Sequence, residues 1–176
     1  MPGRDCGWVL EGWVVSALLT CTIPGQPVGK GRPRASIRGF GTPKAHIHMR
    51  TPEKTATWEA SAAWHLRGTW SGKAPLDRPV AVTVWAVGQR PKSEIPGPRT
   101  LAKQPELANR RWRPTKPDID NVVKAALDAL VNAGVLRDDV LVVDVRGLSL
   151  WAALSEGPQV VIEVREVERL GIGGET

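Results

Sequence analysis

An amphipathic segment over residues 118–133 constrains the fold of this chain more than any other feature. Its apolar residues recur at the helical period and define one buried face: Val122, Ala125, Ala126, Ala129 and Leu130. The spacing predicts a helix that ends at Gly134, because glycine is the residue that most often terminates a helix. A helix with one apolar face needs a second layer of structure to cover it.

Four stretches predict the strands of that second layer: 15–23, 78–87, 140–146 and 159–167. Within the second stretch, valines alternate with polar or variable residues, as in a strand with one buried face. Thr51-Pro52-Glu53 predicts the start of a further helix, with Thr51 as its capping residue and Gly68 as its end. The order of the elements favours the α/β (α+β) class, as one domain with a mixed β-sheet and helices packed on it.

The length of 176 residues fits one ordinary domain. We assign residues 1–22 to an N-terminal extension and first strand, 23–170 to the main domain and 171–176 to a tail. The opening apolar stretch is interrupted by Glu11, so we expect neither a signal peptide nor a membrane span. Cys6 and Cys21 favour free thiols, and we expect a cytoplasmic protein.

Positive charge is concentrated in two segments of the chain. Lys and Arg number 24 against 18 Asp and Glu, and the net charge of +6 indicates a polyanionic partner. Residues 12–52 contain no acidic residue, and residues 90–116 contain only Glu94 and Glu106. Glycine and proline within these segments predict a loop or an irregular hairpin over 24–44, with a returning strand at 45–49, and a long loop over 88–117.

Both loops supply candidate DNA contacts. In the first, Lys30, Arg32 and Arg34 alternate with glycine and proline, and we expect them to contact phosphates. In the second, basic residues surround an aromatic one, an arrangement that suits phosphate contacts and base stacking. These residues are Arg110, Arg111, Trp112 and Arg113, followed by Lys116. A solvated loop with a half-buried tryptophan is the structural alternative.

Two aspartates, Asp118 and Asp120, open the predicted helix directly after the second basic loop, and Asp138-Asp139 follow its end. Grouped carboxylates suit Mg²⁺, which prefers hard oxygen ligands and keeps several waters. Such an ion polarises a phosphate and lowers the pKa of bound water. We therefore predict a Mg²⁺ site, with Mn²⁺ as the alternative ion, and place Lys124 one helical turn from Asp120 to contact a phosphate.

Each of these residues also has a structural alternative. Asp118 alone could serve as a helix cap. Lys124 could form an ordinary ion pair with Asp120 or Asp128. The helix spans about 22 Å, so Asp139 rejoins Asp118 only if the chain doubles back along it. Otherwise Asp139 of one subunit completes the site of another, and the sequence does not decide between the two.

The segment KPDIDNVVKAALDALVNAGVLRDDVLVVDVR, residues 116–146, resembles the catalytic core of the RusA family of crossover-junction endodeoxyribonucleases. The upstream segments GQPVGKGRPR and TPEKT resemble the opening of its phage and prophage members. The resemblance covers residues 23–167, and its D-x-D-N-x-x-K…D-A-L…G…D-D pattern is specific. The first residues of the chain have no counterpart, and the loop over 88–114 looks longer than in compact members.

The resemblance implies a RusA-like nuclease domain. It places Asp118, Asp120 and Asp139 on the family's metal-binding acids and Lys124 on its catalytic lysine. It also implies a Mg²⁺-dependent homodimer that cuts four-way DNA junctions by paired nicks, and a two-fold enzyme supplies such symmetric cuts naturally.

We therefore expect a structure-selective endodeoxyribonuclease that resolves Holliday junctions in DNA recombination and repair. Its partners would be four-way junctions or other branched DNA and a second copy of itself. One alternative is a catalytically silent DNA-binding protein of the same fold. The other is a metal-dependent nucleotide phosphohydrolase, which would not need two wide basic loops.

Overall fold

The computed structural model describes residues 17–38, 41 and 46–167, and in parts of the segment 34–50 it describes the backbone without the side chains. The extension over residues 1–16, the tail over 171–176 and the side chain of Arg34 therefore lie outside the described part of the chain. The described part contains no helix that is long and apolar enough to cross a membrane.

The described residues form seven strands and three α-helices. The strands are β1 Ala17–Pro24, β2 Arg34–Arg38, β3 His46–Arg50, β4 Val80–Gly88, β5 Arg111–Trp112, β6 Val142–Trp151 and β7 Gln159–Glu166. The helices are α1 Glu53–Trp70, α2 Pro98–Lys103 and α3 Ile119–Asn132. Short 3-10 turns cover Lys92–Glu94, Pro105–Ala108 and Asp139–Leu141.

Five of the strands form one mixed sheet in the order β1-β7-β4-β6-β5. The central strand β4 pairs antiparallel with β7 on one side and parallel with β6 on the other. β2 and β3 form a separate antiparallel hairpin. The mixed sheet with packed helices is thus confirmed, and the predicted boundary after residue 22 falls inside β1.

The hydrophobic core lies between α1, α3 and one face of the sheet. Val80, Val82, Val84 and Ala86 of β4 are buried on that face, in the alternation expected for a strand. The predicted apolar face of α3 is fully buried. Gly134 follows the helix with φ +73°, a conformation that favours glycine, and ends it as predicted.

The structure corrects four expectations about the elements. Pro52, not Thr51, is the N-cap residue of α1, and the helix continues past Gly68 because Trp70 is buried in the core. The loop over 88–117 contains α2 and β5. The strand expected from residue 140 begins at Val142, after the turn Asp139–Leu141, and continues to Trp151.

Candidate active site

Asp118 and Asp120 lie together at the start of α3. Asp118 is the N-cap residue, with φ −63° and ψ 138°, and its backbone carbonyl accepts a hydrogen bond from the amide of Val122 at 3.2 Å. Within the described chain, its carboxylate makes no capping hydrogen bond. Asp120 follows in the first turn, and both residues are exposed. The side chain of Asp118 therefore does not cap the helix. Instead, the carboxylates of Asp118 and Asp120 are exposed to solvent at a helix N-terminus, which favours negative charge.

Lys124 lies one helical turn after Asp120. Its Nζ is 3.8 Å from Oδ2 of Asp120, and each side chain is 64% exposed. An exposed pair at this distance contributes little to stability. The i,i+4 ion pair is therefore present, but it leaves the ammonium accessible to a ligand.

The first basic loop docks directly on this end of α3. The amide of Lys30 donates a hydrogen bond to the carbonyl of Asn121 at 2.8 Å. A Cβ at Gly29 would lie 3.0 Å from Cβ of Pro117 and 3.1 Å from Cβ of Asn121. Because glycine has no side chain, the loop backbone approaches the helix closely enough for this contact. The loop that carries Lys30 and Arg32 is thereby fixed beside Asp118 and Asp120.

The start of α1 holds the other side of the same loop. The amide of Gly31 donates to Oγ1 of Thr55 at 3.1 Å, and the Thr55 hydroxyl donates to the carbonyl of Gly29 at 3.4 Å. Thr55 is 2% exposed. A Cβ at Gly31 would lie 2.7 Å from Cγ of Pro52. Gly29 and Gly31 therefore allow the loop backbone to approach the two helices closely. The sequence analysis identified neither this function of the glycines nor the hydrogen bonds of Thr55.

Asp139 lies elsewhere on the protomer. Oδ1 of the preceding residue, Asp138, accepts a hydrogen bond from the amide of Val140 at 3.0 Å and so caps the 3-10 turn. Asp138 and Asp139 line a shallow depression with Asp128 and Lys30, whose side chains form an ion pair. Eight residues of α3 separate Asp128 from Asp120, which corresponds to about 12 Å along the helix axis. Asp139 thus lies beside the second half of α3.

The residues of one protomer fit a divalent ion only in part. No group of three or more His, Cys, Asp or Glu side chains in the described residues is placed to hold a metal. The three aspartates that we predicted as ligands are therefore not gathered into one metal-binding group among the described residues. Asp118 and Asp120 remain a suitable pair, since Mg²⁺ is commonly bound by one or two carboxylates together with substrate phosphates.

Two arginines of the second basic loop are buried, and this corrects the prediction for one of them. Arg113, expected at DNA, is 5% exposed and lies against Gly88, with its Nε donating to Oγ of Ser149 at 3.1 Å. Burial lowers the pKa of its guanidinium. Arg90 is 3% exposed, and its guanidinium donates to the carbonyls of Leu107 and Asn109. These side chains anchor the two ends of the loop.

Arg110 is also engaged within the protein. Its Nε and Nη2 donate to the two carboxylate oxygens of Glu156 at 2.7 and 2.8 Å. Burial alone would raise the pKa of Glu156. The hydrogen bonds from Arg110, from the Ala153 amide and from Gln159, with the positive charge of Arg110, together lower that pKa below its usual value. This bidentate pair ties the loop to the turn before β7.

The remaining residues predicted at DNA lie on the surface. Trp112 is 70% exposed on β5, and Lys116 is exposed between β5 and α3. Arg111 is exposed and forms a longer ion pair with Glu94, at 3.6 Å. The structure therefore leaves Trp112, Lys116, Arg111 and, from the first loop, Arg32 available at the surface.

Comparison with known proteins assigns the chain to a family. The family model described as endodeoxyribonuclease RusA matches residues 24–165, a span that includes all the site residues discussed above. The chain belongs to the RusA endodeoxyribonuclease family. Nucleases of this family are in general metal-dependent.

Two relatives accompany this match. The protein described as uncharacterized protein YqaN from Bacillus subtilis (strain 168) is 35% identical over 151 residues, which cover 83% of this chain and 94% of the relative. Crossover junction endodeoxyribonuclease RusA from Aquifex aeolicus (strain VF5) is 30% identical over 114 residues, or 65% of this chain and 70% of the relative.

Replacement of Gly31 by alanine tests the docking of the first loop in this RusA family member. The added Cβ would meet Pro52 at 2.7 Å, and overpacking of this kind lowers the free energy of unfolding by about 1–3 kcal/mol. Gly68→Ala is the matched control, because nothing lies within 4 Å of a Cβ there and alanine is favoured in a helix by up to about 1 kcal/mol. Urea denaturation measures both, and equal effects of the two substitutions would contradict the proposed contact.

Glu156→Gln tests the anchor of the second loop. Because the folded-state pKa of Glu156 is lowered, the charged carboxylate stabilises the fold fully above the unfolded pKa of about 4.3. This contribution is lost as the pH falls through the lowered folded-state value. We expect wild type to have the higher melting temperature at neutral pH, with the difference shrinking below pH about 4. Glu106→Gln, at an exposed residue of the same loop, should show no such trend, and a constant difference at all pH values would refute this assignment.

Proposed function

We propose that this chain resolves four-way DNA junctions by metal-dependent cleavage of phosphodiester bonds. One observation carries the proposal: Asp118 and Asp120 lie exposed at the start of α3, where the backbone of the basic loop docks and Lys124 follows one helical turn later. Membership in an endodeoxyribonuclease family supports the reaction type. The Aquifex relative, described as a crossover junction endodeoxyribonuclease, supports the branched substrate.

Asp118 and Asp120 would hold the ion, which we propose to be Mg²⁺, with Mn²⁺ as the alternative. Their exposure suits this role, because a phosphate of the DNA has to supply part of the coordination shell. When bound, the ion would polarise the scissile phosphate and activate a water. Metal binding at these acids also explains why negative charge is tolerated within a surface that must attract DNA.

The basic side chains of the protein position the DNA around this site. Lys124 is exposed one turn from Asp120 and can donate to a phosphate oxygen as negative charge develops there. Arg32 and Lys116 extend the positive surface on the two segments that border the start of α3. Trp112 offers an exposed indole on which a base freed from pairing could stack.

A homodimer follows from the proposed reaction. Two intact duplexes result only if two strands are cut symmetrically, and two sites related by a two-fold axis perform such cuts.

Asp120→Asn tests the proposal directly. The substitution removes one negative ligand and keeps the side-chain size, so we expect cleavage of a synthetic four-way junction to fall by at least about 100-fold. Junction binding, measured without added metal by gel shift, should persist, because the phosphate contacts remain.

Asp77→Asn, at an exposed residue before β4, is the control and should cleave like wild type. Unchanged nicking by the Asp120 variant would refute the role of this residue. A wild-type protein that binds junctions but never cuts them with Mg²⁺ or Mn²⁺ would instead be a silent DNA-binding protein, and turnover of mononucleotides alone would indicate a phosphohydrolase.

A further inference from the structure

The hairpin formed by β2 and β3 is separate from the main sheet. Among the described strands, β2 and β3 pair only with each other, over five pairs of residues. Ile47 is 72% exposed, and Ala35 and Arg50 are exposed as well. None of the described hairpin residues belongs to the hydrophobic core. The hairpin is therefore a two-stranded ribbon whose described side chains are available for contact with another molecule.

The register divides the residues of the hairpin between two chemically different faces. Residues directly opposite each other in an antiparallel pair share a face, and the face alternates along each strand. One face therefore carries three arginines, two histidines and one serine, and the other carries four apolar residues. The basic face comprises Arg34, Ser36, Arg38, His46, His48 and Arg50. The apolar face comprises Ala35, Ile37, Ile47 and Met49.

The charges on the basic face indicate a polyanionic partner. Arg34 lies directly opposite Arg50 in the register, and like charges directly opposite each other destabilise a pair of strands. Residues 12–52 contain no acidic residue, so no carboxylate of this segment offsets these charges. A ligand that carries several negative charges would relieve the repulsion between the two arginines.

The base of the hairpin is fixed beside the acids at the start of α3. β2 begins three residues after Gly31, whose amide donates to Oγ1 of Thr55, and β3 ends two residues before Pro52, the N-cap residue of α1. The amide of Lys30 donates to the carbonyl of Asn121 on α3. Five residues of a strand extend about 17 Å, which corresponds to about five base pairs of duplex DNA. The hairpin can therefore contact DNA up to that distance from the acids.

We propose that the hairpin lies in the major groove of a duplex arm beside the cleavage site, with its basic face toward the DNA. The inference rests on the proposed function in taking branched DNA as the substrate, and it assigns a second DNA contact outside the acidic site. The major groove is about 12 Å wide and admits a two-stranded β-ribbon. The arginines of the basic face supply donors for phosphates and for base edges. This contact would hold one duplex arm while its branch point lies at the acids.

The apolar face is the competing surface, with a protein as its partner. A specific protein interface involves about 20–30 residues on each side, and the apolar face comprises only four. A protein on that face would also leave the repulsion between Arg34 and Arg50 without compensation. Duplex DNA on the basic face is therefore the partner that the hairpin fits better.

Arg38→Gln and Arg50→Gln test the contact through its salt dependence. Each substitution removes one positive charge from the basic face. Binding of a four-way junction is measured by fluorescence anisotropy without added metal, at about 50 to 200 mM salt. Loss of one phosphate contact should lower the slope of log affinity against log salt concentration by about 0.9. We expect each variant to bind the junction at least fivefold more weakly, and the double variant to lose about twice the slope.

Two variants serve as controls. Ile47→Gln changes the apolar face, and Lys73→Gln removes an exposed charge beyond the far end of α1, about 25 Å from its start. Both should bind like wild type, and circular dichroism verifies that every variant is folded. Unchanged slopes in the two arginine variants would overturn the proposed contact. An equal loss in the Lys73 variant, or a loss in the Ile47 variant alone, would overturn it as well.

Disulfide crosslinking tests the groove. Ser36→Cys on the basic face should crosslink to a thiol tethered to N4 of cytosine, which lies in the major groove, within about five base pairs of the branch. Ile47→Cys on the apolar face and the wild type, which retains Cys6 and Cys21, are the controls and should not react. Crosslinking of the Ser36 variant only to a tether on N2 of guanine, in the minor groove, or to neither tether, would refute the placement.

The hairpin and the nuclease can fail separately in these experiments. A wild type that crosslinks through the Ser36 variant and binds junctions, but never cuts them with Mg²⁺ or Mn²⁺, would refute the proposed nuclease and leave the hairpin contact standing. A wild type that cuts junctions, with arginine variants that bind like it, would refute the hairpin contact alone.

Discussion

The docking of the loop around Lys30 between two helix starts is the contact on which the candidate site depends. The Lys30 amide bonds to the Asn121 carbonyl on α3, and the Gly31 amide bonds to Thr55 on α1. These are backbone amides held against buried or closely packed groups, so they fix the loop whatever its side chains do. The backbone of the basic loop is thereby held beside the start of α3, while the Lys30 ammonium pairs with Asp128 further along the helix.

The basic residues of the chain divide into two groups with different roles. Arg90 and Arg113 are buried and hold the second loop in place, and Arg110 is held by Glu156. Arg32 and Lys116 are exposed near the acids. The distinction follows from desolvation, because a guanidinium is buried only where carbonyls, hydroxyls or carboxylates replace its water. The number of basic residues in the sequence is therefore larger than the number that can contact a polyanion at the surface.

The acids and the helix that carries them were predictable because the responsible signals are local. The periodicity of the buried face of α3, the glycine at its end and the aspartates at its start all lie within one continuous segment. Arg113 was assigned wrongly to the DNA surface because its environment depends on Ser149 and Gly88, which are distant in the sequence. Asp118 is the N-cap residue of α3, but its side chain makes no capping hydrogen bond, whereas the side chain of Asp138 caps the turn Asp139–Leu141.

The sequence alone was sufficient to predict the amphipathic helix, the alternating strands, the glycine-rich basic loop and the acidic start of the helix. Each of these features depends on residues that are neighbours within a few positions. Only the folded chain decided that β4 and β6 are parallel and that β5 pairs with β6 over two residues, Leu150 and Trp151. It also placed Asp139 in the depression that Asp128 and Lys30 line. These outcomes depend on contacts between segments far apart in the chain, which the pattern of any one segment does not encode.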